Sequence, residues 1–147
     1  MRFLKKRSIA TILLALVLVL SFTSSAFADF STRMTNPEGT KTSPTAMEGN
    51  TDQIFNWLHP SNTTHYRMII TSPFSSTDTG IQPLYSSIPP GSNYGHIILS
   101  AYLWNSLPRF TDIQVVILTY HYNPSTGVYE QNGIDDAWFW IVPESEG

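Results

Sequence analysis

Catalysis needs nucleophiles, acids, bases or metal ligands at a working spacing, and this chain offers few. Cysteine is absent, which removes thiolate chemistry, thiolate metal sites and disulfides together. His59, His65, His96 and His121 fall on separate turns and strands, without the short spacings of a zinc site, and are expected as surface or hydrogen-bonded residues. The sequence contains no Gly-x-Ser-x-Gly elbow, no His-Glu-x-x-His and no phosphate-cradling glycine loop. Its eleven carboxylates include no pair set apart as the acid and base of a glycosidase. Asp135 and Asp136, with Asn132 close by, are weak candidates for calcium, which takes about six to eight oxygen ligands. The plainer reading is an acidic turn before the last strand. Asn62-Thr63-Thr64 has the form of a glycosylation acceptor and is read as a turn. The expectation is a non-enzymatic protein with no cofactor.

What rises above this background is aromatic. Four tryptophans and seven tyrosines stand among Ser, Thr and Pro, and "DDAWFWIVP" (135–143) holds two tryptophans and a phenylalanine in consecutive positions. In a strand, Ala137, Phe139 and Ile141 share one face while Trp138, Trp140 and Val142 share the other, and both faces cannot point at one core. If the tryptophans face outward, their separation of roughly 6.5 to 7 Å along the strand suits stacking on successive sugar rings. Tyr120 and Tyr122 could then extend the platform. If they face inward, Phe139 and Ile141 leave an outer patch suited to strand addition by a partner. Trp57 is expected in the core.

The elements that position these rings read as strands. "QIFNWL" (53–58), "HYRMIITS" (65–72), "HIILSAYLW" (96–104), "DIQVVILTYHY" (112–122), "GVYEQ" (127–131) and "AWFWIV" (137–142) are rich in β-branched and aromatic residues. Turn chemistry separates them, including "HPSNTT", "SIPPGSNYG", "NPSTG" and "QNGIDD". No stretch of ten or more residues keeps a helical period, and frequent prolines break what remains. Ile97, Leu99, Ala101 and Leu103 form the expected core face of 96–104, with His96, Ser100, Tyr102 and Trp104 opposite. The 112–122 segment is apolar on both faces and is expected at the centre of its sheet. "NPSTG" predicts a hairpin pairing it with "GVYEQ" or the final strand. The fold class is all-β, a two-sheet antiparallel sandwich of about seven strands.

"FNWLHPSNTTHYRMII" resembles the second and third strands of fibronectin type III and immunoglobulin-like modules of secreted bacterial proteins. There, an apolar-x-Trp strand, a proline-bearing turn and a strand beginning with Tyr follow one another. "LPRFTDIQVVILTYHYNPSTG" resembles their Leu-x-Pro-x-Thr-x-Tyr corner and long central strand, with Leu107, Thr111 and Ile113 at the corner spacing. Pro108 directly follows the leucine, and Ile113 stands where the family has its tyrosine, so this corner must be held another way. The resemblance spans Gln53 to Val142 and implies architecture alone.

The first 28 residues read as a secretory signal peptide. Arg2, Lys5, Lys6 and Arg7 precede an apolar run from Ile9 to Leu20, and Ala26 and Ala28 place cleavage before Asp29. The run falls short of the roughly 20 residues that span a bilayer, so no membrane anchor is expected after cleavage. Residues 29–50 read as an extended, flexible arm with an edge strand near Thr42 to Met47, and 51–147 as the sandwich domain. Removing the signal takes four of eight cationic residues and none of the eleven acids, leaving a net charge of about −7. That balance argues against nucleic acid and anionic lipid. The expectation is an extracellular protein, or a periplasmic one if the source cell has two membranes. It would bind a carbohydrate, cell-surface or protein partner, or else assemble with itself by lending its arm to a neighbour's sheet edge.

Overall fold

The computed structural model describes residues 32–143. The expected signal segment, 1–28, lies outside the described residues. Among the described residues nine strands and one helix follow in order: β1 (Arg33–Asn36), β2 (Thr45–Glu48), β3 (Gln53–Leu58), β4 (His65–Thr71), β5 (Ser76–Asp78), β6 (Gln82–Pro83), β7 (Tyr94–Leu99), α1 (Ala101–Ser106), β8 (Ile113–Asn123) and β9 (Val128–Val142). They form two packed sheets, one ordered β1-β3-β7 and one ordered β2-β9-β8-β4-β5, with β6 also on β4. The protein is an all-β sandwich, and β8 lies in the middle of its sheet as its two apolar faces require. All pairings are antiparallel except β2 with β9, which is parallel, with Thr45 opposite Phe139 and Glu48 opposite Val142.

The segment read as an arm supplies an edge strand to each sheet. β1 pairs with β3 and β2 with β9, and Met34 and Met47 are buried in the common core. Alternation in the larger sheet sends Ile113, Val115 and Ile117 of β8 inward with Ala137, Phe139 and Ile141 of β9, all at most 1 % exposed. Phe139 meets Phe55 edge-on at 5.4 Å between centroids and stacks on Trp104 at 5.8 Å. Such ring pairs contribute about 0.5–1.5 kcal/mol each beyond the area they bury. Trp57 is fully buried, as its place in β3 led one to expect.

Two sequence expectations are corrected. The 96–104 segment is not one strand: β7 stops at Leu99, and Ser100 caps a helix by accepting from the Leu103 N–H. Asp52 adds a carboxylate to the Ala101 N–H at 2.7 Å. A serine cap followed by Ala and Leu favours a helical turn over strand continuation, and Leu107, held extended before Pro108, ends it. Trp104, expected on the outer face, is thereby turned into the core, where its indole N–H donates to the Gly49 carbonyl at 2.9 Å. Likewise "QNGIDD" is not a turn. β9 runs through it as one 15-residue strand, absorbing Asn132 as an extra residue between Gly133, opposite Thr119, and Gln131, opposite Tyr120.

The corner before β8, where Ile113 stands, is fixed by backbone. Phe110 takes a positive φ of 52°, and its N–H donates to the Ile141 carbonyl at 3.1 Å. The Thr111 hydroxyl closes the turn on the Arg109 carbonyl at 2.9 Å.

Candidate binding cleft on the outer face of the last strand

With Phe139 and Ile141 committed to the core, Trp138 and Trp140 face outward. Trp140 is 38 % exposed, and its indole N–H is held by the Asp112 carboxylate. Trp138 is half-buried, because β2 covers β9 only from Phe139 onward and a loop takes over below that point. The Trp138 N–H donates to the Gly39 carbonyl at 2.9 Å, so the β1–β2 loop pairs with β9 in place of a strand. Gly39 is required for this approach: a Cβ there would lie 2.5 Å from the Trp138 carbonyl oxygen and 2.2 Å from the Thr45 nitrogen.

The loop then turns on reciprocal backbone bonds between Thr40 and Ser43, 3.0 and 3.1 Å, and carries Lys41 over the indole. The Lys41 ammonium sits 5.5 Å from the Trp138 ring centroid, a cation–π distance. Between loop and strand lies a cleft of about 600 Å³, lined by Arg33, Met34, Glu38, Gly39, Thr40, Lys41, Asp135, Asp136 and Trp138. That volume suits a small ligand or one or two sugar rings.

The charges of the cleft are distributed around the β9 edge. Successive residues point to opposite faces, so Asp135 turns toward β1, where it accepts from the Met34 N–H at 2.7 Å. Asp136 lies on the outer face with the tryptophans and accepts from Gln114 at 2.8 Å. The two candidate calcium ligands are therefore engaged on opposite sides of the strand, and no group of three or more His, Asp or Glu side chains gathers among the described residues. Arg33 approaches Glu38 at 3.8 Å with both side chains about two-thirds exposed, a weak pair.

Tyr120 and Tyr122 share the outer face with the tryptophans but not their neighbourhood. Gln114 is opposite Trp138 while Tyr122 is opposite Tyr129, so eight residues of β8, about 27 Å, separate the two groups. Tyr120 is only 7 % exposed, beside Arg67. Tyr122 and Tyr129 meet at 5.0 Å, and His65 meets Tyr129 edge-on at 4.9 Å, which makes a separate aromatic cluster. Burial there lowers the His65 pKa below its usual value.

The other histidines have structural partners. The Trp57 indole donates to His59 Nδ1 at 3.0 Å, so Nε2 carries the proton and donates to the Ser92 carbonyl at 3.0 Å. Burial holds the His59 pKa below normal, against the opposing effect of the Ser92 bond. His121 donates from Nδ1 to the Asn62 carbonyl at 2.8 Å, and His96 lies edge-on to Tyr85. A second cleft of about 440 Å³, between residues 61–64 and 84–92, has no charged side chain in its lining. Its one ring, Tyr85, is committed to the Ile98 N–H and to His96.

Sequence reasoning found Trp138, Trp140, Asp135 and Asp136 but missed Arg33, Glu38 and Lys41. The available signal was "NPEGTKTSP", a turn-rich stretch carrying one of the few cations outside the signal segment. Neither a known protein-family profile nor a curated protein sequence matches this chain.

Proposed function

We propose that this chain is a secreted, non-enzymatic binding module of immunoglobulin-like architecture, and that it holds carbohydrate on the outer face of β9. The architectural part draws support from the strand order: β1-β3-β7 opposite β4-β8-β9 corresponds to the A-B-E and C-F-G arrangement of such domains. The observation that carries the functional part is the outward pair Trp138 and Trp140 on one strand, of which Trp138 lines a cleft of about 600 Å³ that also holds carboxylates, with Trp140 half-exposed next along the same face. The Trp140 indole is held by Asp112, so little of its rotamer freedom is lost when a ligand stacks. Assembly through a lent arm has less support, because Arg33–Asn36 and Thr45–Glu48 already pair with β3 and β9 of their own chain.

The test is retention on insoluble polysaccharides, with light scattering on the same preparation. Trp138→Ala and Trp140→Ala are each expected to weaken binding about tenfold or more, as loss of a central tryptophan commonly does. Retention like that of the parent protein in both variants refutes the site. Oligomers in light scattering would favour assembly instead.

A further inference from the structure

The placement of Lys41 deepens this reading and rests on it. An exposed lysine on a mobile stem has many solvated positions, yet its ammonium stands over the Trp138 ring while the loop beneath is locked by Gly39 and the Thr40–Ser43 turn. The ring face is thus arranged to attract positive charge. Asp136 shares that face two residues away, roughly 6.5 to 7 Å along the strand, where a carboxylate can pair with an ammonium resting on the indole. Glu38, Asp135 and Asp136 outnumber Arg33 and Lys41 in the lining, and Arg33 already lies near Glu38. If Lys41 swings aside, the cleft keeps a tryptophan face and an excess of negative charge.

We propose that the Trp138 subsite takes a protonated amine, so that the ligand is an amino-sugar chain with free amino groups, and that Lys41 occupies the amine's place in the unliganded protein. A neutral sugar must displace Lys41 and returns no charge to the acidic rim, whereas an amino sugar replaces one ammonium with another. A solvated cation–π contact corresponds to a factor of about two to five in affinity, which is the handicap that self-occupancy imposes.

The experiment is a tryptophan-fluorescence titration of the full protein at fixed ionic strength, using a glucosamine hexamer, an N-acetylglucosamine hexamer and tetramethylammonium chloride. The glucosamine hexamer is expected to bind about fivefold or more tighter than its acetylated counterpart. Lys41→Ala is expected to raise its affinity about two- to fivefold, and Trp138→Ala to remove its binding. Because Lys41 is exposed, its variant tests the idea even if Trp138→Ala does not fold. Equal binding of the two hexamers, or a loss of affinity in Lys41→Ala, overturns the amine subsite and leaves the carbohydrate reading standing. A response to tetramethylammonium alone, lost in Trp138→Ala, supports the cation subsite and overturns the sugar. Silence to all three probes overturns both.

Discussion

Gly95→Ala should be among the most damaging single-methyl additions in this protein. Gly95 lies opposite Trp57 in the β3–β7 ladder, and the indole lies across it. A Cβ at position 95 would stand 2.5 Å from Trp57 Cε2 and Cζ2 and 2.7 Å from Nε1. Comfortable separation between such atoms is about 3.5–4.0 Å, so the ring must retreat by roughly 1 Å. It has nowhere to go, being fully buried with Tyr66 at 5.2 Å and His59 Nδ1 at 3.0 Å from its nitrogen. Overpacking costs about 1–3 kcal/mol, and stranding the buried indole N–H about 1–3 kcal/mol more. The expected loss is about 2–6 kcal/mol, measured as a shift of the urea midpoint with unchanged slope. Trp57→Phe removes the nitrogen and the benzo edge, so adding Gly95→Ala to that background should cost less than about 1 kcal/mol more. A loss below about 0.5 kcal/mol in the parent, or strictly additive costs in the double variant, would refute the argument.

Two further outcomes follow from the buried polar groups. The folded-state pKa of His59 is lowered by burial, so the unfolded chain takes up the proton first as pH falls below about 6.5, and stability should decline from pH 7 toward pH 5. The slope is at most about 1.4 kcal/mol per pH unit for one proton, His65 adds in the same direction, and His59→Gln should flatten most of it; urea midpoints that stay level across that range would contradict the assignment. Thr119, fully buried, accepts from the Thr32 hydroxyl at 2.8 Å and donates to Asn132 Oδ1 at 2.8 Å. Thr119→Val keeps the shape and removes both bonds, for an expected cost of about 1–3 kcal/mol in the same assay, and a neutral result would show that the network adds nothing to stability.

The strands were legible in the sequence where alternation and turn chemistry agreed. "QIFNWL" became β3 and "HYRMIITS" became β4 without its last residue, because each is bounded by proline or hydroxyl-rich turns and has one apolar face. Legibility failed where a local signal competed with a longer-range one. Ser100 caps a helix that burial of Trp104 then rewards, while the apolar alternation through Leu103 suggested a continuing strand. Gly133 and two acids resemble a turn, yet pairing with β8 on one side outweighs that preference once Asn132 is absorbed as a bulge. The direction of Trp138 and Trp140 was undecidable locally, since either face of "AWFWIV" could fill a core. Phe55 and Trp104 decide it, because they leave a space shaped for Phe139. The cleft itself was illegible, for its loop wall is set by a close backbone approach at Gly39 that no composition or period encodes.

The location of the cleft has a physical cause in the sheet that bears it. A long outermost strand exposes backbone groups that invite pairing with other chains. β9 is such a strand over its middle, since β2 covers only its last four residues. This chain answers with a loop rather than a full strand, and a carboxylate ties that region of β9 to β1. Gly39 accepts from the Trp138 N–H, and Asp135 reaches across to the Met34 N–H of the opposite sheet. A loop fills the edge less completely than a strand would, and the space it leaves is the cleft. The same arrangement puts Asp136 and Trp138 on the rim, with Trp140 next along the same face, their spacing fixed by the strand and the charge balance set by the loop. Edge protection and the proposed binding cleft are therefore coupled in this fold. Substitutions that tighten the loop against β9 should lower ligand affinity, and those that loosen it should expose an edge able to pair with a second chain.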